Sequence, residues 1–481
     1  MGTILHRSGA IALLQMAAWA LIMVCGNVFA AEQKPNIVYI VADDLGWKDV
    51  GFHGSDIRTP ALDRLAAEGV RLEQFYAQPF CTPTRAALMT GRYPFRYGLQ
   101  TIVIPSSHTY GLPTDEYLLP QALKDAGYQT AIVGKWHLGH GDPKYWPKQR
   151  GFDSQYGPLI GELDYFTHEQ HGVTDWYRDN KVVKEPGYTT TLLGNEAVKL
   201  IEAHDTQVPL YLYLAFNAPH TPYQAPQEYL DRYRNIEDPS RRAYAASITA
   251  MDDQIARVLK ALDKKKMRAN TLIVFQSDNG GTRNAMFAGE LDMSKSRIPC
   301  DNGPYREGKG TLYEGGTRVV ALANWPGHIR AGVVSNEMMH VVDMYPTLAR
   351  LAGAPTAKAK PLDGLDVWPT LSEGRPSPRT EIVYNIEPMR AGVREGDWKL
   401  VWHSLLPSRV ELYDIARDPA EKNDLSAQNP AKVAELQKRA NELAATQAKP
   451  LVLLTEFKAM QERLKLPPAL PGEELEFDQE D

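Results

Sequence analysis

Asn36-Ile37-Val38-Tyr39-Ile40-Val41-Ala42-Asp43-Asp44-Leu45-Gly46 is a run of β-branched and apolar residues that stops at two carboxylates. An uninterrupted apolar strand is one buried on both faces, as in a parallel sheet covered by helices. Asp43 and Asp44 repel each other and are costly to bury unpaired, so either they lie in solvent or a cation holds them. In isolation the pair reads as a solvated loop.

The same hand-over from apolar strand to polar cluster recurs three times. Residues 128–134 run into Lys135-Trp136-His137, residues 210–216 deliver Asn217-Ala218-Pro219-His220, and 272–275 end in Ser277-Asp278-Asn279-Gly280-Gly281. Among them lie helical patterns: 59–70, with a capping Thr59 and Pro60 in the first turn; 118–126, stopped by Gly127; and 244–262, with Ile248, Met251, Ile255, Val258 and Leu259 on one face. This alternation predicts an α/β fold with a mostly parallel central sheet flanked by helices. Ligands of such sheets bind outside the carboxyl ends of the strands, so four polar hand-overs at those ends predict one site.

Cys81-Thr82-Pro83-Thr84-Arg85 is followed by Ala86-Ala87-Leu88-Met89-Thr90-Gly91-Arg92. Pro83 suits a first helical turn and Thr82 is its expected cap, which sets Cys81 at the positive end of a helix. Arg85, one turn along, faces whatever anion gathers there. The plainer alternative is a buried cysteine that only packs. Gly308-Lys309-Gly310-Thr311 presents a lysine on a glycine-flanked loop, by itself an exposed cation.

Hydrophobic residues make up 43% and charged residues 23% of the 481, which excludes a disordered chain and a multi-span membrane protein. A net charge of −6 excludes the basic field of a nucleic-acid binder, so any anionic substrate must be held by local cations. Residues 1–30 read as a signal peptide, with His6 and Arg7, an apolar run over 11–24 and Val28-Phe29-Ala30 at the cleavage position. Cleavage predicts an exported, periplasmic or secreted protein with no integral membrane association; a retained anchor or lipidation at Cys25 is the alternative. Export leaves Cys81 and Cys300, which allow one disulfide but no framework, and the chain has no Asn-x-Ser/Thr sequon, favouring a bacterial origin.

Toward the C-terminus, 340–351 read as a helix kinked or started by Pro346, and the Pro/Gly-rich 361–378 as a crossing between domains. Trp398, Leu400 and Trp402 then alternate in a strand at 397–403, residues 410–414 are its hairpin partner, and Val433, Leu436, Ala440 and Leu443 stripe a helix. The change of pattern sets a boundary near 380. Residues 31–380 are the expected catalytic domain and 381–481 a smaller α+β domain with an antiparallel sheet, ending in a disordered acidic tail at 473–481.

Asp43, Asp44, Asp278 and Asn279 offer four hard oxygen ligands on two strand ends, a set that suits Ca²⁺ or Mg²⁺, whereas no Cys/His cluster has zinc spacing. Lys135, Lys309, Arg85 and that cation would make a positive pocket for a dianionic or sulfate-like group. His137 and His220 remain as proton carriers near neutral pH.

With these residues the chain resembles the type I sulfatases of the alkaline-phosphatase-like superfamily. Their modification signature, Cys-x-Pro-x-Arg and a Leu-x-Thr-Gly-Arg element, stands here at Cys81–Arg85 and Leu88–Arg92. The resemblance continues through Ala42–Trp47, Gly134–Gly139, Ser277–Gly281 and Glu314–Arg318, nearly the whole mature chain. Within the family, Gly51–Ser55, Tyr97–Gln100 and Pro361–Trp368 look most like N-acetylgalactosamine-4-sulfatase (arylsulfatase B). Thr84 replaces a serine common in the motif.

The resemblance implies an alkaline-phosphatase-like fold and hydrolysis of sulfate monoesters of saccharides or aryl alcohols. It implies that Cys81 is converted to formylglycine by a formylglycine-generating maturation enzyme and binds Ca²⁺ with Asp43, Asp44, Asp278 and Asn279. A hydroxyl of the hydrated aldehyde would attack sulfur, Lys135 and Lys309 would bind the sulfate, and His220 would protonate the leaving alcohol. His137 would assist sulfate release and Arg85 would orient residue 81. The alternatives are a phosphate or phosphonate monoester hydrolase on the same scaffold and a non-catalytic calcium-dependent glycan binder.

Overall fold

The computed structural model describes residues 34–287, 289 and 297–464, so the expected signal peptide and acidic tail lie outside the described residues. The central sheet has ten strands. In chain order they are β1 (Asn36–Ala42), β2 (Val70–Leu72), β3 (Gln129–Gly134), β4 (Ser154–Gly157), β5 (Tyr177–Arg178), β6 (Lys181–Val182), β7 (Leu210–Ala215), β8 (Thr271–Ser277), β9 (Ala321–Asn324) and β10 (Val333–Ser335). They stand side by side as β10-β2-β9-β8-β1-β7-β3-β4-β5-β6. From β8 to β4 every pairing is parallel, while β9 on one flank and β5 on the other run against that block and pair antiparallel with both of their neighbours.

β1 lies in the middle of the ten-stranded sheet, paired on both sides within that parallel block, and its seven residues are all buried. Ile37, Tyr39 and Val41 enter one apolar core, Val38, Ile40 and Ala42 the other. Burying a side chain of this size contributes about 1.5–3 kcal/mol. The first face is covered by α2 (Cys81–Thr90), α3 (Leu119–Asp125) and α6 (Met344–Ala352), and the second by α1 (Pro60–Ala67), α4 (Thr189–Ala203) and α5 (Pro239–Lys264). The expected helix at 59–70 ends earlier because Val70-Arg71-Leu72 leaves it to pair as β2 with β9 and β10. Pro346 lies in the first turn of α6, after a 3₁₀ turn at Val341–Asp343, and so starts the helix instead of kinking it.

A separate antiparallel meander follows: β11 (Glu381–Glu387), β12 (Arg390–Glu395), β13 (Trp398–His403) and β14 (Arg409–Asp414). Leu400 and Leu412 pack on Leu436 of α7 (Pro430–Ala444). The other face, with Ile382, Tyr384, Val401 and Tyr413, covers Tyr76, Leu312 and Tyr313 of the main body. Leu312 and Tyr313 belong to the loop that carries Lys309, so the small sheet backs the site. The 361–378 stretch is more than a crossing: it contains a short helix, Trp368–Glu373, and its Asp363 pairs with Arg96 at 2.8 Å.

Candidate active site

The four polar hand-overs meet at the carboxyl edge of β8, β1, β7 and β3. Ladder-like bonds continue beyond the strands and hold them together: Asp278 N donates to Ala42 O, Asp43 N to Ala218 O, and Lys135 N to Ala215 O, at 3.0, 3.1 and 2.9 Å. The backbone turns sharply there. Gly134 has φ +116, and a Cβ on it would lie 1.8 Å from Ala215 O, so only glycine fits. Asp44 and His137 hold left-handed φ values of 62 and 60, a conformation that non-glycine residues adopt mostly where function requires it.

Asp43 and Asp44 are fully buried, which removes the solvated-loop reading. Asp43 binds the Lys135 ammonium, accepts from Cys81 Sγ at 3.4 Å and lies 3.5 Å from Arg85. Asp44 accepts from Lys309 Nζ at 2.7 Å, Asn279 Nδ2 at 2.7 Å and Thr282 Oγ1 at 3.3 Å. Lys309 is itself buried, so the exposed-cation reading fails too. Burial alone would raise the Asp43 carboxyl, but Lys135, His220 and Arg85 together hold it well below the usual carboxylate range. Asp278 is pushed the other way, up to about 6, by burial and by Asp43, against Arg85 and Lys135.

Cys81 opens α2, as expected, but Thr82 does not cap it. The cap position is Phe80, with extended backbone and no side-chain cap bond. Thr82 Oγ1 instead donates to His137 O at 3.0 Å and accepts from Ile104 N at 3.1 Å, tying the helix start to the neighbouring loops. Pro83 sits third in the helix, where a missing N–H still costs no intrahelical bond. Thr84 uses its hydroxyl in full, donating to Gln78 O and accepting from Gln78 N at 3.1 and 2.9 Å, which is why threonine serves where serine is common.

Arg85 does not reach out to solvent anions. Nε and Nη2 donate to Asp278 Oδ2 at 3.1 and 2.8 Å, and Nη1 donates to Lys135 O at 3.1 Å. The Cys81 thiol is pushed well up by burial, Asp278 and Asp43, so it stays protonated at neutral pH. Cys81 and Cys300 are both buried and unbridged, so the one possible disulfide is not formed.

His220 Nδ1 lies 2.7 Å from Thr221 O, and its Nε2 is 3.1 Å from Lys309 Nζ and 3.5 Å from Asp44. One ligand atom each of Asp43, Asp44, Cys81 and His220 falls within 4.8 Å of the others. His137 is buried, its Nδ1 has no hydrogen-bond partner among the described residues, and burial with Lys135 and Arg85 pushes it well below its ordinary value. All ten residues singled out in the sequence therefore converge. Thr221, Thr282 and Tyr165, whose hydroxyl bonds Asn217 O and His220 O at 2.7 and 2.9 Å, join them without having been anticipated. Thr221 and Thr282 have one sequence cue, their closeness to His220 and to Asp278-Asn279, and Tyr165 has none.

The sulfatase family model matches residues 35–354. The chain belongs to the sulfatase family. A second model, N-sulphoglucosamine sulphohydrolase, C-terminal, matches residues 307–449 of this sulfatase. It is 39% identical to mouse arylsulfatase J over 80% of its length and spans 64% of that relative. It is 35% identical to human N-acetylgalactosamine-6-sulfatase over 75% of its length and spans 70% of that protein. Among solved structures, Ps i-CgsB in complex with k-i-k-neocarrahexaose superposes with a TM-score of 0.79 at 36% identity, covering 87% of this chain and 94% of that one. These relationships make the sulfatase a sulfuric ester hydrolase with the alkaline-phosphatase-like fold. Among its described residues no helix is long and apolar enough to cross a membrane.

Proposed function

We propose that this sulfatase releases inorganic sulfate from sulfate monoesters of saccharides or of aryl alcohols. The carrying observation is the meeting of Asp43, Lys135, His220 and Asp278, each from a different strand end, around the first turn of the Cys81 helix. In a protein of net charge −6 this places Lys135 and Lys309 where an anion can be held.

The donor set fits Ca²⁺. Asp43, Asp44 and Asp278 supply hard carboxylate oxygens, and Asn279 Oδ1 is buried with no hydrogen-bond partner among the described residues. A cation would also relieve the crowding that raises Asp278. These four residues would hold it together with residue 81, and when bound it supplies positive charge beside the sulfate oxygens. Converted to formylglycine, residue 81 supplies a hydrated aldehyde as the nucleophile. The encoded thiol is a poor substitute, being protonated and having no built-in way to release a bound sulfate.

The chain's own groups do the rest. Lys135 and Lys309 turn part of their hydrogen bonding from Asp43 and Asp44 to the sulfate oxygens. Arg85, pinned by Asp278, fixes the helix start and so orients residue 81. His220, its ring fixed through Thr221, delivers a proton from Nε2 to the leaving alcohol oxygen. His137, neutral and with Nδ1 unengaged, accepts the proton that must leave residue 81 as sulfate departs.

Export after cleavage at Ala30, maturation by a formylglycine-generating enzyme and the division into 31–380 and 381–481 complete the reading. The motifs lean toward a 4-sulfate of N-acetylgalactosamine, while a relative acts on a 6-sulfate by its name, so product analysis on defined saccharides decides the position. Kinetics on aryl sulfate and aryl phosphate with the same leaving group test the function. Sulfate is expected to be preferred; a strong phosphate preference would favour the phosphate or phosphonate reading, and calcium-dependent binding without turnover the non-catalytic one.

A further inference from the structure

The pocket over Cys81 has a volume of about 420 Å³ and a lining with two unlike parts. One is apolar, built from Ile102, Ile104, Ile160 and Phe287, with Met286 79% exposed at its rim. Phe287 is braced edge-on against Phe80, ring centroids 5.5 Å apart. The other part is polar and carries Glu162, from the segment Gly161–Phe166 that the proposed chemistry leaves unused. Thr221 Oγ1 donates to Glu162 Oε1 at 2.8 Å, and Glu162 Oε2 makes no hydrogen bond among the described residues. Among the described lining residues Lys309 is the one lysine or arginine, and it is committed to the sulfate.

We propose that Glu162 makes the site selective for a ring that bears a single sulfate and no neighbouring anion. The fitting substrate is a monosulfated neutral hexose or N-acetylhexosamine. Its hydroxyl or amide N–H on the carbon beside the sulfate ester donates to Glu162 Oε2, and its C–H face lies on the apolar wall. An ionised carboxylate only accepts, so a neutral donor gains a charge-assisted bond there. A second sulfate or a uronate in that position meets a like charge with no lysine or arginine of the described lining to offset it, which is selection by repulsion as well as by attraction. The inference rests on the sulfatase reading above and specifies its substrate.

The test compares kcat/KM for an N-acetylhexosamine monosulfate with that for the same ring carrying a second sulfate on the adjacent carbon, in the native enzyme and in Glu162→Gln. The native enzyme is expected to favour the monosulfate by about tenfold or more, and Glu162→Gln to narrow that ratio by about tenfold, since the amide keeps the shape and loses the charge. A native preference for the disulfate, or a ratio that Glu162→Gln leaves unmoved, overturns the assignment. Should the variant fail to fold, the native ratio decides alone. Loss of selectivity is distinct from failure of the underlying function: a native enzyme that cleaves neither sugar nor any aryl sulfate overturns the sulfatase reading and this inference with it.

Discussion

Lys309 Nζ stands 3.1 Å from His220 Nε2. An ammonium has donors only, so Nε2 is the acceptor and the ring proton sits on Nδ1, which donates to Thr221 O at 2.7 Å. A proton reaches Nε2 only when Lys309 turns to another acceptor, the part given above to a sulfate oxygen. Under the proposed function, sulfate binding and arming of the proton donor would thereby be coupled.

Replacing Lys309 tests that coupling. Lys309→Met is expected to lower kcat/KM on an aryl sulfate by about 10²–10³-fold, the effect of losing one preorganised oxyanion donor. Lys309→Arg should not restore the rate, because a planar fork cannot occupy the place of a compact ammonium between Asp44 and His220. Steady-state kinetics check both, and a change below about fivefold for Lys309→Met would contradict the role.

Removing calcium should both inactivate and destabilise. Three buried carboxylates share the site, and dialysis against a calcium chelator leaves them to their mutual repulsion. Thermal melts should show Tm falling on chelation and rising again with added Ca²⁺; binding at a hundredfold excess over Kd contributes about 2.7 kcal/mol. In Asp278→Asn the Ca²⁺-dependent rise should be much reduced. A Tm indifferent to chelator and calcium would count against the ligand set.

The small sheet holds the Lys309 loop through a buried cluster. Lys399 Nζ donates to Glu314 Oε1 and forms an ion pair with Glu421 Oε1, each at 2.9 Å, and Glu421 Oε2 accepts from Glu314 N at 2.7 Å. Arg390 adds a bond to Gly310 O at 2.5 Å, next to Lys309. Lys399→Met leaves two buried carboxylates without this ammonium and is expected to cost about 3–5 kcal/mol in denaturant unfolding.

The same cluster has a pH signature. Burial pushes Glu421 up to about 7, with Glu314 adding to the rise against Lys399, while Lys399, Arg318 and Arg394 hold Glu314 down. A carboxyl raised in the folded state keeps its proton where the unfolded chain has lost it. Its contribution is therefore complete below the ordinary carboxylate range and is lost as pH rises through about 7. Glu421→Gln, which cannot ionise, should flatten the decline in stability between about pH 5 and 8 relative to the native protein. Parallel profiles would contradict this.

Gly161 leaves room for His137. A Cβ there would come within 2.4 Å of His137 Cε1, so Gly161→Ala must shift the ring. The expected result is a fall in kcat on the order of 10²-fold for a displacement near 1 Å, with the Ca²⁺-dependent rise in Tm retained. Unchanged turnover would mean that the position of His137 is not limiting.

The parallel core was legible because β1, β3, β7 and β8 each carry an apolar run that hands over to a polar cluster at the sheet edge. The flanking strands β2, β9 and β10 are only three or four residues long and take their pairing from tertiary contacts, which no local period encodes. At the site, residue types named the carboxylates and cations that converge, but Asp43 looked solvated because burial is a property of neighbours. Arg85 was read as facing an anion near Cys81, and its bond to Asp278, 193 residues away in sequence, is visible only in the fold. Nothing local to Glu162 indicated that Thr221, 59 residues away in sequence, would occupy one of its two oxygens.

The proposed chemistry turns on residue 81. Peptide mass spectrometry of that position, in protein made by a host able to form formylglycine and assayed in parallel on an aryl sulfate, should find the aldehyde form, with activity rising in proportion to its fraction. Full activity from protein that carries only unmodified cysteine at position 81 would contradict the proposed chemistry.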